Sequence, residues 1–136
     1  IGFAGALKAI ECYEKLEVYK RQSEVGERIS EGWKKLFDQY QLKCEISGIL
    51  PLVHFKFEYD EPLFYKTYFT QEMLKEGFLA GTGVYASYAH TNEIIEMYLL
   101  ACERTFAKIS DIHRKGENIQ SYLEGQVCHA GFERLN

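Results

Sequence analysis

The sequence lacks several features that define large classes of protein. It has no apolar run near the roughly 20 residues that span a bilayer, and no charged segment with a short apolar core typical of a signal peptide. It also has no basic patch, and its formal net charge of -4 gives no attraction to nucleic acid or to an anionic membrane. We therefore expect a cytoplasmic protein with neither nucleic acid nor membrane as a partner.

Cysteines are few, and their spacing indicates neither a disulfide framework nor a zinc site. The four are widely separated, with no CxxC pair: Cys12, Cys44, Cys102 and Cys128. Without a secretory context, we expect reduced and mostly buried thiols. The sequence also lacks an initiator methionine and opens in a helical apolar pattern, so we expect a piece of a longer protein.

What is present is typical of one soluble domain over residues 1–136, since 46% of the residues are apolar and 26% are charged. Apolar residues recur at helical spacing over residues 1–40, with a break near residues 14–20, and again over residues 63–77. Gly32, beside Trp33, indicates close approach to a sheet. The longest helical stripe follows Thr91, and its members are Ile94, Ile95, Tyr98, Leu99, Cys102, Phe106 and Ile109.

Strand patterns occupy the middle of the chain. Apolar side chains alternate with polar ones over residues 53–59, which predicts a half-buried strand. Gly48 and Pro51 interrupt its beginning, so we expect two short strands or one strand with an irregular edge. A very short strand over residues 78–80 and another over residues 84–89 complete a small sheet, and the fold class is α+β.

One serine and one histidine stand at a predicted junction between a strand and a helix. Ser87 lies three residues before His90, but no GxSxG motif surrounds the serine, and the histidine follows too closely to act as its base. Thr91 can cap the following helix through its hydroxyl, while the His90 ring can bond backbone groups at the helix entrance. We interpret Ser87, His90 and Thr91 as a structural corner, and keep a serine hydrolase as a hypothesis to be tested.

The other candidate sites are weaker. Adjacent Cys128 and His129 lack a second ligand pair at zinc-like spacing, so we predict no metal site. The acidic residues 58, 60 and 61 are interpreted as a solvated turn, because nothing apolar nearby would raise a carboxylate pKa. The loop Gly81, Thr82 and Gly83 matches neither a P-loop nor a dinucleotide-binding motif.

Three segments, taken in order, resemble a known family. They are IGFAGALKAIECYEKLEVYKRQSEVGERISEGWKKL, GILPLVHFKFEY and FLAGTGVYASYAHTNEIIEMYL. Together they resemble the C-terminal part of class III pyridoxal-phosphate-dependent aminotransferases, in the branch similar to glutamate-1-semialdehyde 2,1-aminomutase. The resemblance covers nearly the whole chain, and the SYAHT segment matches the family's corner between a strand and its last long helix.

The resemblance implies a fold, a cofactor and partners. It implies a small domain with a mixed or antiparallel sheet of three to four strands, covered by helices and packed on a large domain that binds pyridoxal phosphate. The family's Schiff-base lysine, its acid beside the pyridine nitrogen and most of its phosphate ligands precede Ile1, so no catalytic or cofactor-binding residue is assigned to this chain. The loop with Gly81, Thr82, Gly83 and Tyr85 corresponds to a segment that faces the substrate entrance.

The full-length protein is accordingly expected to be an enzyme that acts on a small amino or keto substrate, as a homodimer, while the isolated chain is inactive. The loop lacks the acidic residue that true semialdehyde mutases carry, so transamination and the mutase reaction both remain open. The alternative is a free-standing α+β interaction module without catalytic activity. The face that would pack on the large domain is expected to be exposed in the isolated chain and to promote association, with the aromatic residues of Ile1 to Tyr13 as the candidates.

Overall fold

The computed structural model describes residues 2–129. Within this range the α-helices are α1 (Gly2–Lys15), α2 (Val18–Tyr40), α3 (Pro62–Lys75) and α4 (Asn92–Lys115). The strands are β1 (Cys44–Ile49), β2 (Leu52–Phe57) and β3 (Gly83–Tyr85), and a short 3-10 helix follows at Ile119–Tyr122. The α+β class and the small sheet expected from the sequence are confirmed.

The three strands form one antiparallel sheet in the order β1-β2-β3. Pro51 lies in the tight turn between β1 and β2, so the prediction of two short strands is confirmed. The predicted strand over residues 84–89 is too long, because β3 pairs with β2 only as far as Tyr85. The Ala86 amide still donates to the Pro51 carbonyl at 2.9 Å, and Ser87 then begins the turn after the strand, since its carbonyl accepts from the His90 amide at 3.1 Å.

The short strand predicted over residues 78–80 is absent from the described structure. Phe78 instead donates its amide to the Met73 carbonyl at 2.9 Å, and Gly77, at φ 87°, adopts the left-handed conformation that ends α3. These bonds satisfy carbonyls at the end of the helix, so the segment closes α3 rather than adding a strand.

Helices α2, α3 and α4 cover one face of the sheet and enclose an aromatic core. Phe55 on β2 lies at its centre, with its ring centroid 4.8 Å from that of Trp33 and 5.3 Å from that of Phe69. Phe37 and Phe106 pack against the same ring from α2 and α4. Edge-on contacts of this kind stabilise a core beyond their buried area.

The opposite face of the sheet carries no helix in the described chain. Strand register places on it eight side-chain positions, which we call the open sheet face: Glu45, Ser47, Ile49, Leu52, His54, Lys56, Gly83 and Tyr85. All eight positions are exposed. Its aromatic and aliphatic side chains are therefore exposed beside charged ones.

Helix α1 has no buried residue, although it carries an apolar stripe. Phe3 is 92% exposed and Leu7 is 64% exposed, with Ile10 and Tyr13 further along the same helix. Its attachment to α2 includes a hydrogen bond from the Tyr13 hydroxyl to Gln22 at 3.2 Å. The break before α2 is confirmed at Glu17, which is left-handed at φ 46°.

Two glycines allow α2 to pack closely on its neighbours, and the prediction that Gly32 approaches the sheet is wrong. A Cβ at Gly32 would lie 2.6 Å from the Leu99 side chain, so this glycine admits α4 rather than the sheet. At Gly26, for which no close approach was predicted, a Cβ would lie 1.6 Å from the carbonyl oxygen of Leu50, in the turn between β1 and β2. Helix α2 therefore approaches the strand hairpin nearly two helical turns before Gly32.

The cysteines differ in part from expectation. All four thiols are free, but only Cys102 is buried and Cys12 is exposed. The segment after the 3-10 helix lies against α3 as far as it is described, since Cys128 donates its amide to Thr67 Oγ1 at 3.0 Å. None of the described helices is long and apolar enough to cross a membrane.

Candidate functional site

The loop that was expected to face substrate connects α3 to β3, and its backbone is hydrogen-bonded to β2. The Thr82 carbonyl accepts a hydrogen bond from the Phe55 amide at 2.9 Å, which extends the pairing of β2 by one residue. Gly83 pairs with His54, and Tyr85 is 79% exposed at the end of β3. The backbone of the loop is thus fixed by the sheet while the Tyr85 ring remains accessible.

The corner that follows this loop is held by side-chain bonds to the backbone. Thr91 Oγ1 accepts from the Ile94 amide at 3.3 Å and caps α4, as its sequence position predicts. His90 Nδ1 accepts from the Ser87 amide at 3.3 Å, and Ser87 Oγ accepts from the Ala89 amide at 3.3 Å. Ser87 and His90 do not bond to each other through their side chains, so the geometry of a nucleophile and its base is absent here.

Helix α2 fastens this corner to the rest of the domain. The Arg21 guanidinium donates to the His90 carbonyl at 2.6 Å, and the Gln22 amide donates to the Ala86 carbonyl at 3.1 Å. Arg28, about two turns after Arg21 on α2, donates to Asn92 Oδ1 at 2.5 Å. The segment that follows the loop is therefore held to α2 at three points.

An apolar groove of about 300 Å³ adjoins the loop and the first turns of α4. Its walls include Leu79, Val84, Tyr85, His90, Ile94 and Tyr98. Tyr98 is 7% exposed, and its burial, with Cys102 nearby, raises its pKa well above the usual value. Tyr98 therefore stays a neutral phenol, and the groove offers mainly apolar contact.

A second cavity, of about 330 Å³, lies beside the open sheet face and includes His54 in its lining. Here Ser47 Oγ and His54 Nε2 are 3.0 Å apart across the β1–β2 pair, and Lys56, Lys66 and Thr82 line the same space. This pair is not predictable from the sequence, because Ser47 and His54 are brought together by the register of the hairpin. No acid contacts His54 Nδ1 within residues 2–129, so the pair does not form a catalytic triad.

A third cavity, of about 650 Å³, lies at the C-terminal ends of α2 and α4. Tyr59, Tyr65 and His113 stack there, and the Tyr65 hydroxyl lies 3.0 Å from His113 Nε2. Burial and the nearby Lys43 ammonium lower the pKa of His113. This cluster is separated from the Thr91 corner by about 30 Å of α4, so it does not belong to the loop's site.

A buried carboxylate on α3 forms a further cluster that the sequence did not indicate. Glu72 is 4% exposed and receives hydrogen bonds from Lys75 at 2.7 Å, Lys108 at 2.6 Å and Gln71 at 3.2 Å. Burial alone would raise the pKa of Glu72, but these donors together lower the pKa to about 2. A carboxylate that stays ionised in this way joins α3 to α4.

The remaining candidates do not form sites in the described chain. Residues 58, 60 and 61 are exposed at the end of β2, which agrees with a solvated turn. Among residues 2–129, no group of three or more His, Cys, Asp or Glu side chains is placed to hold a metal ion.

Comparison with known proteins places the fold. No protein-family model matches the chain, and no curated protein matches it. The structure is similar to that of the PLP (pyridoxal phosphate) internal aldimine form of the Sphingopyxis sp. MTA144 FumI protein, with a TM-score of 0.72 and 18% sequence identity. The match covers 82% of this chain and 27% of that chain, so the chain spans about a quarter of the length of the structure it matches.

Proposed function

We propose that this chain is the small C-terminal domain of a pyridoxal-phosphate-dependent aminotransferase or aminomutase. The observation that carries the proposal is the shared fold, since the chain superposes with a TM-score of 0.72 on 27% of a protein whose structure was determined with pyridoxal phosphate. The resemblance of the three sequence segments supports the class III branch similar to glutamate-1-semialdehyde aminomutase. Transamination and the mutase reaction are both compatible with it.

The residues of this chain do not fit a complete cofactor site. A lysine that forms a Schiff base is favoured by a desolvated setting that lowers its pKa, whereas every lysine within residues 2–129 is exposed. We therefore place the cofactor in a large domain outside this chain, where it would supply an electron sink for chemistry at the substrate's amino-bearing carbon. The isolated chain is expected to be inactive.

The role of this chain would be to shape the substrate entrance. The bond between Thr82 and Phe55 fixes the loop, and the corner at Ser87, His90 and Thr91 holds its far end. The loop has no side chain at Gly81 or Gly83, so its backbone is accessible there. Tyr85 offers an exposed ring to a small amino or keto substrate. These residues would position substrate and exclude water rather than transfer protons.

The remaining parts of the proposal concern partners and location. The apolar stripe of α1 is suited to contact the large domain or the second subunit of a homodimer, because none of its residues is buried within the described chain. A cytoplasmic location is part of the same proposal.

A free-standing interaction module is the second candidate, and the complete aromatic core around Phe55 favours it. The coding sequence upstream of Ile1 separates the two. An upstream domain containing a cofactor-binding lysine supports the enzyme, whereas a start codon shortly before Ile1 would overturn it in favour of the module.

A further inference from the structure

The cavity beside the open sheet face has an apolar side, formed by Phe55, Phe57, Pro62 and Leu63, and a polar side suited to a small anion. About 330 Å³ in volume, it is lined on its polar side by Glu45, Ser47, His54, Lys56, Lys66 and Thr82. Thr82 belongs to the loop discussed above, and His54 pairs with Gly83 in the sheet. The cavity is therefore continuous with the substrate-facing loop.

Its two lysines have no counter-ion in the described chain. Lys75 and Lys108 bind the Glu72 carboxylate, but neither Lys56 nor Lys66 makes an ion pair or a side-chain hydrogen bond within residues 2–129. Glu45 lies opposite Lys56 in the strand register without forming an ion pair with it. Two ammonium groups thus face one carboxylate in a protein whose overall net charge is -4.

Two glycines give the His54 side chain room on the open sheet face. A Cβ at Gly48 would lie 2.9 Å from His54 Nδ1 and 2.4 Å from the Leu52 carbonyl oxygen, and Gly48 is left-handed at φ 96°. Gly83 flanks the other side, again without a side chain. The Ser47 hydroxyl, 3.0 Å from Nε2, orients the ring between them.

We propose that this cavity binds the oxyanion, carboxylate or phosphate, of a small-molecule substrate. Lysine ammonium groups supply the charge, and the hydroxyls of Ser47 and Thr82 supply further donors. The inference rests on the proposed function only in calling the anion part of a substrate, since binding itself requires no cofactor. In the complete enzyme, the site would hold the anionic end of the substrate beside the Thr82 loop.

The test is a titration of the 136-residue chain with succinate and, separately, with inorganic phosphate, followed by two-dimensional amide NMR. We expect saturable shifts at Ser47, His54 and Thr82 with a dissociation constant in roughly the millimolar range, weakened by added salt. The stronger of the two anions identifies the carboxylate or the phosphate as the recognised group.

The K56Q/K66Q double variant should bind about tenfold more weakly or worse, because it removes both charges. The K34Q/K35Q variant is the matched control, since it removes two exposed, unpaired lysines of α2 that do not line the cavity. If neither anion shifts these amides, or if both variants weaken binding equally, the proposal is wrong. The proposed enzyme could still be correct in that case, because cofactor binding is measured separately.

Discussion

At the scale of single residues, Glu72 shows how a buried charge is tolerated. The Glu72 side chain is 6% exposed, and its carboxylate lies between Lys75 and Lys108, whose side chains are each 45% exposed. A carboxylate buried without such donors would take up a proton instead. Glu72 therefore belongs to the stability of the α3–α4 contact rather than to catalysis.

The Glu72→Gln variant tests this account. At pH 7 we expect a loss of about 2 kcal/mol in the free energy of unfolding, an estimate that allows for solvent screening at the two exposed ammonium groups. Because folding lowers the pKa of Glu72 from 4.5 to about 2, its contribution is present above pH 4.5 and is lost as the pH falls towards 2. Urea unfolding at pH 7 and at lower pH measures both effects.

The control for this prediction is Glu11→Gln, which breaks an exposed pair with Lys8 and should change stability by less than about 0.5 kcal/mol. Equal effects of the two variants at pH 7 would contradict the assigned role of Glu72.

Tyr85 is the residue by which the proposed substrate entrance can be tested. In the full-length protein, Tyr85→Ala should raise KM by about three- to tenfold, since an exposed ring that contacts substrate contributes roughly 1 kcal/mol. The absorption of the bound cofactor should not change. Tyr88→Ala, which removes a half-exposed ring outside the loop, is the matched control and should leave KM unchanged.

At the scale of elements, the sequence predicts those helix ends whose capping hydrogen bonds join residues close together in the chain. The Thr91 cap and the Gly116 C-terminus of α4 lie within a turn of the residues they satisfy, and the sequence predicted the cap. The predicted end of β3 was wrong because the end is set by the pairing of Tyr85 with Leu52, the first residue of β2. No residue between 84 and 89 encodes that pairing. Gly26 and the Ser47–His54 pair were missed for the same reason, since each depends on a distant segment.

The cap itself can be measured. Thr91→Ala should lower the free energy of unfolding by about 1 kcal/mol, because the Ile94 amide loses its acceptor at the start of α4. Thr91→Ser keeps the hydroxyl and should retain most of that stability. Chemical denaturation followed by circular dichroism distinguishes the two, and an equal loss in both would mean that the methyl group, not the cap, is important.

At the scale of the whole molecule, the domain has a complete core but an unpartnered helix. Phe3 and Leu7 on α1 remain exposed while α2, α3 and α4 enclose the sheet. The sequence predicted this asymmetry through the resemblance, since periodicity alone does not reveal which apolar stripe lacks a partner.

Association of the isolated chain follows from this exposed stripe. Sedimentation velocity should show a sedimentation coefficient that rises with concentration, because α1 stripes bury apolar surface against each other. The F3S/L7S double variant should remain monomeric. The M97S/L100S variant, which removes two half-exposed apolar side chains from α4, should associate as the original chain does; monomeric behaviour of the original chain at all concentrations would refute the prediction.

The most direct test of the central claim compares visible absorption after incubation with pyridoxal phosphate. The full-length protein is expected to show the band of a lysine-bound cofactor, which borohydride reduction makes permanent. The 136-residue chain, in which every described lysine is exposed, is expected to show no such band after dialysis. A stable, stoichiometric band in the isolated chain, or its absence from the full-length protein, would contradict the assignment of this chain as the small domain of a pyridoxal-phosphate enzyme.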